Sequence, residues 1–188
     1  MKASRSEVDI VLVHHPVVNK IGDIIGSAVT NLDLHDIARA AKTYGVDNYY
    51  IVTPYEDQHK LVNEILEHWK NGHGAQYNPA RKEALDLVQP ADSLKSVIGQ
   101  VTEKRGKKPI LLTTSAKIQE TTLSYSEVRA KIKEKEAILL LFGTAHGLAP
   151  QAMEMADYSL PPVGGDTKYN HLSVRSAVSI ILDRLLGV

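Results

Sequence analysis

Short apolar runs rich in β-branched residues alternate along the chain with segments whose apolar positions recur at helical spacing. Val8–Val13 is the first such run, and Pro16 closes it. From Leu34 to Tyr44 the period changes. Leu34, Ile37, Ala38 and Ala41 share one helical face, with Asp33 placed to cap the start and Gly45 to stop the end. Asn48–Val52 reads as a second strand. Asp57–Asn71 follows as a helix with Leu61, Val62, Ile65, Leu66 and Trp69 as its stripe. Asn71–Tyr77 reads as a glycine-containing loop, and Asn78-Pro79 opens a short helix. Leu85–Gln89, Pro109–Thr113 and Ala137–Phe142 read as strands, and Asp92–Glu103, Ser126–Lys135 and Pro150–Ala156 as helices. Tyr158–Leu160 is a short extended piece. Leu172–Leu186 is a final helix with Val174, Ala177, Val178, Ile181 and Leu185 on its apolar side.

This alternation predicts an α/β fold, a mostly parallel sheet with helices on both faces. Ala137–Phe142 is the most apolar strand, which places it at the centre of the sheet. No repeat, low-complexity tract or linker interrupts the pattern, so a single domain over residues 1–188 is expected.

Composition narrows the chemistry. The 188 residues carry 22 Lys+Arg against 22 Asp+Glu and no cysteine. Disulfides, thiolate metal sites, cysteine nucleophiles and methyl transfer through a cysteine adduct are excluded. The longest apolar runs are too short to span a bilayer. Glu7, Asp9 and His14 interrupt any signal-like stretch after Lys2 and Arg5, so a cytoplasmic protein is expected. His14, His15, His59, His68 and His73 form no ligand spacing, and no metal is expected. Zero net charge removes the simplest argument for nucleic-acid binding and leaves only local patches. Any RNA affinity should then be weak and salt-sensitive.

Ligands of open parallel sheets sit at the carboxyl ends of the strands. Three loops there are informative: Thr113–Lys117, Phe142–Leu148 and Leu160–Asn170. Their glycines allow close backbone approach, and Pro161 and Pro162 leave carbonyls as the polar groups. Such loops suit an adenine- or ribose-like ligand held by main chain. No phosphate-binding glycine motif is present.

Three segments together resemble the SPOUT methyltransferases, the knotted RNA methyltransferases that use S-adenosylmethionine. They are Leu139-Leu-Leu-Phe-Gly-Thr-Ala-His-Gly-Leu-Ala149, Ala156-Asp-Tyr-Ser-Leu-Pro-Pro-Val-Gly164 and Asn170-His-Leu-Ser-Val-Arg-Ser-Ala177. Thr30–Val46 is similar to the family's first motif, an Asn followed by a helix carrying an Arg. The resemblance implies a C-terminal deep trefoil knot within about residues 110–188, against the general rarity of knots. It also implies a bent S-adenosylmethionine in the knot crevice and a homodimer, for which the apolar final helix is the natural interface. Cofactor contacts are then expected from Thr113, Thr114 and Ser115; from Phe142, Gly143, Thr144, His146, Gly147 and Leu148; and from Leu160, Pro161, Pro162, Val163 and Gly165. His171, Leu172 and Ser173 complete the set. Valine at Gly143 or Gly165 should fill the crevice. Ala145 stands where many ribose-methylating members carry Glu, which favours a base nitrogen over ribose 2′-O as acceptor.

Roles follow from the same resemblance. Arg39 is the candidate catalytic or phosphate-contacting arginine, set with His35 and Asp36 away from the apolar stripe; otherwise it is a surface partner of Asp36. Asp166 is a candidate proton acceptor or a solvated loop carboxylate. Asn170 is a third catalytic candidate or the cap of the last helix. Asn31, Lys42, Tyr77 and Arg81 are candidate RNA contacts, Tyr77 by base stacking; Lys20 and Lys82 extend the patch if their loops converge. The run Lys104-Arg105-Gly-Lys107-Lys108 reads as a solvated turn rather than a phosphate site. The expected function is methylation of tRNA or rRNA. A non-catalytic knotted RNA-binding module and a flavodoxin-like nucleotide-binding domain are the alternatives.

Overall fold

A computed structural model describes residues 7–188 of the chain. Lys2 and Arg5 lie outside the described residues.

The chain runs β1 (Val8–Val13), a small hairpin of β2 (Val17–Val18) and β3 (Ile24–Ile25), α1 (Asn31–Thr43), β4 (Tyr49–Val52) and α2 (Glu56–Lys70). It continues through α3 (His73–Tyr77), α4 (Pro79–Leu85), β5 (Val88–Ala91), α5 (Leu94–Arg105), β6 (Ile110–Thr113) and α6 (Tyr125–Lys133). β7 (Ile138–Gly143), α7 (Pro150–Met153), β8 (Tyr158–Ser159) and α8 (Val174–Leu186) complete it. The sheet has the order β5-β4-β1-β7-β6-β8, all pairs parallel. The most apolar strand, β7, is central as expected, beside β1.

Side chains alternate across a strand, so each central strand feeds two cores. Ile10, Leu12, Tyr49, Ile51, Leu140 and Phe142 face α1, α2, α4, α6 and α8. Val11, Val13, Tyr50, Val52, Leu139 and Leu141 face α5 and α7. Helices therefore cover both faces. Burial on both sides explains why these strands read as continuous apolar runs. Truncating Leu140, fully buried at the centre, to alanine would cost about 2–5 kcal/mol.

Several boundaries differ from the sequence reading. Thr30, not Asp33, caps α1: its hydroxyl oxygen accepts from the Asp33 amide at 3.1 Å while its own proton goes to the Asp33 carboxylate at 2.7 Å. The segment after Gly72 contains a helical turn, because Gly74 lets it lie against the Trp69 ring. β5 starts at Val88, since Leu85 still belongs to α4. The β2–β3 hairpin has too few residues to carry a period. Serine side chains set the starts of α6 (Ser124) and α8 (Ser173).

The basic run at 104–108 is a solvated turn except at Arg105; Lys104, Lys107 and Lys108 are exposed. Arg105 is nearly buried at the amino end of the sheet and bonds Glu7 at 2.7 Å and Asp9 at 2.9 Å, with Asp47 3.1 Å away. Lys104 pairs with Asp47, Lys107 with Glu136 and Lys108 with Asp157. These cations are paired with carboxylates of the fold, at the end opposite the glycine loops.

Candidate active site

Because β7, β6 and β8 are neighbours, the three loops that follow them start side by side. Thr113 pairs with Leu141 on one side and Ser159 on the other, so β6 and β8 end level and β7 runs two residues further. The buried Thr113 and Ser159 hydroxyls meet at 2.6 Å. Thr114 bonds the Leu141 carbonyl through both its amide and its hydroxyl. Leu160 donates to the Thr113 carbonyl, and the Asn170 side chain donates to Ala116 O at 3.0 Å. The first and third loops are thus tied together. Asn170 serves this tie and is not the cap of α8, a position Ser173 fills by accepting from the Ser176 amide. Half-buried Tyr125, whose phenol is pushed up chiefly by burial, donates to Pro161 O at 3.1 Å, fixing the proline pair from the α6 side.

The second loop is held from the other direction. His146 donates to Val18 O, Val18 to Gly147 O and Ala149 to Pro16 O, so β2 braces it. Gly147 has φ +117° and Ala145 φ +51°, the left-handed backbone that glycine tolerates best. Gly143 is crowded differently: a Cβ there would lie 2.7 Å from the Leu148 amide nitrogen. It fits only without a side chain because the loop folds back over it, not because it borders open space. Gly165 is the opposite case, with nothing within 4 Å of an added Cβ.

A chain of hydroxyls underlies this loop. Thr144 donates to Val13 O at 3.0 Å, Ser27 meets Thr144, and His14 Nδ1 lies 3.0 Å from Ser27 Oγ. One proton per hydroxyl then dictates that Ser27 donates to Thr144 and that His14 carries its proton on Nδ1. Burial pushes the His14 pKa down to about 4, against the opposing pull of Asp33.

The expected cofactor residues divide into a buried floor and an exposed rim. Thr113, Phe142, Leu148 and Leu160 are buried, and Thr114, Ser115, Gly143, Thr144, Gly147 and Pro161–Val163 are half-buried. His146, Gly165, His171, Leu172 and Ser173 are exposed, with His171 edge-on to Tyr169. An apolar floor under main-chain-lined loops fits the adenosyl part of S-adenosylmethionine, and the half-buried prolines offer no N–H to compete for it. An open depression of about 700 Å³ lies elsewhere, beyond β4 and β5, lined by Pro54, His59, Lys60, Glu64 and Asp92 among others. Its carboxylates are wrong for a phosphate-bearing ligand, and none of the expected cofactor residues lines it.

Arg39 is exposed on α1, 3.9 Å from Asp36. His35 does not share its outer face: it is buried edge-on against Trp69, with its pKa lowered first by burial and then by Arg81. Arg81 lies over the same indole at 5.0 Å, and Lys42 pairs with Glu83 at 3.6 Å. Tyr77 is exposed and stacked on His73, and Asn31 is exposed at the start of α1. These RNA candidates group around α1, α3 and α4, while Asp166 is exposed in the third loop. The sequence reading missed Arg175, which joins α8 to α1 through Asp33 at 2.9 Å. Its only sequence signal is its place inside the third resembling segment.

Among the described residues no group of three or more His, Asp or Glu could hold a metal ion, and no helix is long and apolar enough to cross a membrane.

A parallel sheet with three loops at the ends of adjacent strands, two of them bearing glycine or proline, defines a class of α/β ligand-binding protein. Residues 7–187 match the family described as SAM-dependent RNA methyltransferase, and the chain belongs to that family. A tRNA (guanine-N(1)-)-methyltransferase of Oleidesulfovibrio alaskensis is 46% identical over 94% of this chain, which covers 41% of that protein. The chain thus spans about two fifths of the length of such relatives. An uncharacterized protein of Aquifex aeolicus is 42% identical, with 96% of this chain and 88% of that one covered. The fold is that of the SpoU methyltransferase AviRb from Streptomyces viridochromogenes, solved in complex with AdoMet. It superposes with TM-score 0.61 at 15% identity, covering 97% of this chain and 58% of that one.

Proposed function

We propose that this chain transfers a methyl group from S-adenosylmethionine to a base nitrogen of a tRNA or rRNA. The observation that carries the reading is that the three loops leave the carboxyl ends of three adjacent strands, in a chain that matches the family from residue 7 to 187. The base nitrogen is favoured by Ala145 in place of a glutamate and by the guanine-N(1) name of the Oleidesulfovibrio relative. S-adenosylmethionine supplies an electrophilic methyl group on a sulfonium. The chain's own residues hold, orient and dry the site. Thr113–Ser115, Phe142–Leu148, Leu160–Gly165 and His171–Ser173 form the cradle. Arg39 holds the RNA phosphate or stabilises the acceptor, Asp166 takes the acceptor proton and Asn170 locks the third loop onto the first. A positioned acid, base or cation is worth roughly 10²–10⁴ in rate. Asn31, Lys42, Tyr77 and Arg81 form the RNA face.

The reading includes a single domain over residues 1–188 and a knot. Supporting the knot, β8 lies between β6 and the segment after it: Ser159 pairs with Thr113 on one side and Thr122 on the other. The 114–120 connection therefore crosses β8. A cytoplasmic homodimer is proposed. The apolar stripe of α8 is used within the protomer against α1 and α6, so exposed Leu32 and Leu172 are better placed for a partner than that stripe.

Calorimetry with S-adenosylmethionine, then tritium transfer from labelled cofactor to bulk RNA, tests the proposal. Binding plus transfer that is lost in Arg39→Ala is expected. Absence of binding up to millimolar cofactor would overturn the proposal, and binding without transfer to any RNA favours the non-catalytic module.

A further inference from the structure

Arg175 and Arg39 reach the same carboxylate. Arg175 Nη1 bonds the nearly buried Asp33 at 2.9 Å, and its Nε lies 3.5 Å from Asp36 Oδ2. Asp36 Oδ1 is in turn 3.9 Å from Arg39 Nη1. Two guanidinium groups thus face two carboxylates, and the more exposed carboxylate is shared. A carboxylate already facing one guanidinium attracts a second less strongly, because the two cations repel each other and partly neutralise it. Without Arg175, Asp36 and Arg39 are an ordinary i, i+3 helix pair free to close into a direct bond. With Arg175 in place, Asp36 is drawn toward α8 and Arg39 is held at the outer limit of an ion pair.

We infer that Arg175 is a positioning residue that keeps Arg39 available to an RNA anion by competing for Asp36. The geometry suits the task. Arg175 is the second residue of α8, five residues after the third loop, and it is anchored by Asp33, whose second oxygen is already taken by Thr30. Arg175 is therefore not free to turn to RNA itself, whereas Arg39, with 60% of its side chain exposed, is. The arrangement also places Arg39 beside the start of α8, at the end of the segment that carries Asp166 and Asn170. His14 and Tyr49 also face Asp33; burial keeps His14 neutral at physiological pH and pushes the Tyr49 phenol up, so neither replaces Arg175 as counter-ion. The inference rests on the proposed role of Arg39 in RNA methylation.

The test is a double-mutant cycle in the full-length protein, read as methyl transfer to RNA. Arg175→Lys keeps a cation for Asp33, but one ammonium does not span both carboxylates in the way a guanidinium does. The RNA KM of Arg175→Lys should rise about three- to tenfold, with cofactor Kd unchanged within about twofold. In an Asp36→Asn background the same Arg175→Lys change should have no effect on KM beyond about twofold, because the competitor for Arg39 is gone. A merely structural arginine would lose stability and cofactor affinity in both backgrounds alike. An unchanged KM in Arg175→Lys overturns the inference, and so does an equal rise in the Asp36→Asn background. Arg39→Ala separates the two levels. If it keeps full activity, the reading of Arg39 fails and the inference falls with it. If it is inactive while the cycle shows no coupling, only the inference fails.

Discussion

Gly143 and Gly165 both lie in the proposed cofactor loops, yet replacing them should have different consequences. At Gly143 an added Cβ sits 2.7 Å from Leu148 N and 3.0 Å from Gly147 C. Those atoms are backbone, so no rotamer change relieves the contact. The loop has to move by several tenths of an ångström away from the end of β7, where Phe142 and Leu141 are buried. Overpacking of this kind costs about 1–3 kcal/mol. For a chain of this length that is a fall in Tm of roughly 2–12 °C, at about 2–4 °C per kcal/mol. Because the displaced loop is the proposed cradle, Gly143→Ala should lose S-adenosylmethionine affinity together with stability. Gly165 has nothing within 4 Å of its Cβ position and no left-handed φ. Gly165→Val should therefore leave Tm unchanged within about 2 °C. A bulky side chain at the mouth of the crevice should still raise the cofactor Kd about tenfold or more, some 1.4 kcal/mol. Scanning calorimetry for Tm and isothermal titration for Kd measure both quantities. A Gly143→Ala protein as stable as the parent would refute the packing argument. A Gly165→Val protein with parental cofactor affinity would show that the third loop does not line the pocket.

Further outcomes follow from other contacts. Arg105→Met leaves Asp9, fully buried, with Asn48 as its remaining bonded partner, and should cost about 3–5 kcal/mol in urea unfolding; a loss below about 1 kcal/mol would contradict the buried cluster. His14 should titrate near pH 4 in an NMR titration and show the Nδ1–H tautomer, whereas an ordinary midpoint near 6.5 would contradict its burial. Since the unfolded chain binds that proton at higher pH, the His14 contribution to stability is full above about pH 6.5 and is lost as pH falls toward 4. Tyr125→Phe removes the donor to Pro161 O and should weaken cofactor binding by about 0.5–1.5 kcal/mol, roughly two- to twelvefold, while Tyr44→Phe, an exposed phenol bonded to Asp183, should leave it unchanged.

Much of the fold was legible because its cause is periodic. Ile138–Phe142 is apolar at every position, which only a strand covered on both faces requires, and the structure places it at the centre. The three loops could be found because strand ends are where parallel sheets present backbone to ligands. What could not be read depends on residues far apart in sequence. Asp33 looked like a cap, yet its carboxylate is committed to Arg175, 142 residues away. Arg105 looked like exposed charge because its partners, Glu7, Asp9 and Asp47, come from other parts of the chain. His35 looked exposed because the stripe of α1 leaves it out, but α2 adds a second covered side through Trp69, over which Arg81 of α4 lies. The proposed knot within about residues 110–188 has no signature in hydrophobic pattern at all; only the resemblance to a family suggested it.

The central claim is methylation of an RNA base. Mass spectrometry of nucleosides from the tRNA and rRNA of a deletion strain, beside its parent, tests it most directly. One nucleoside carrying its methyl group on a base nitrogen should vanish in the deletion, return with the intact gene and stay absent with Arg39→Ala. An unchanged set of methylated nucleosides, or the loss of a 2′-O-methylated one, would contradict the account.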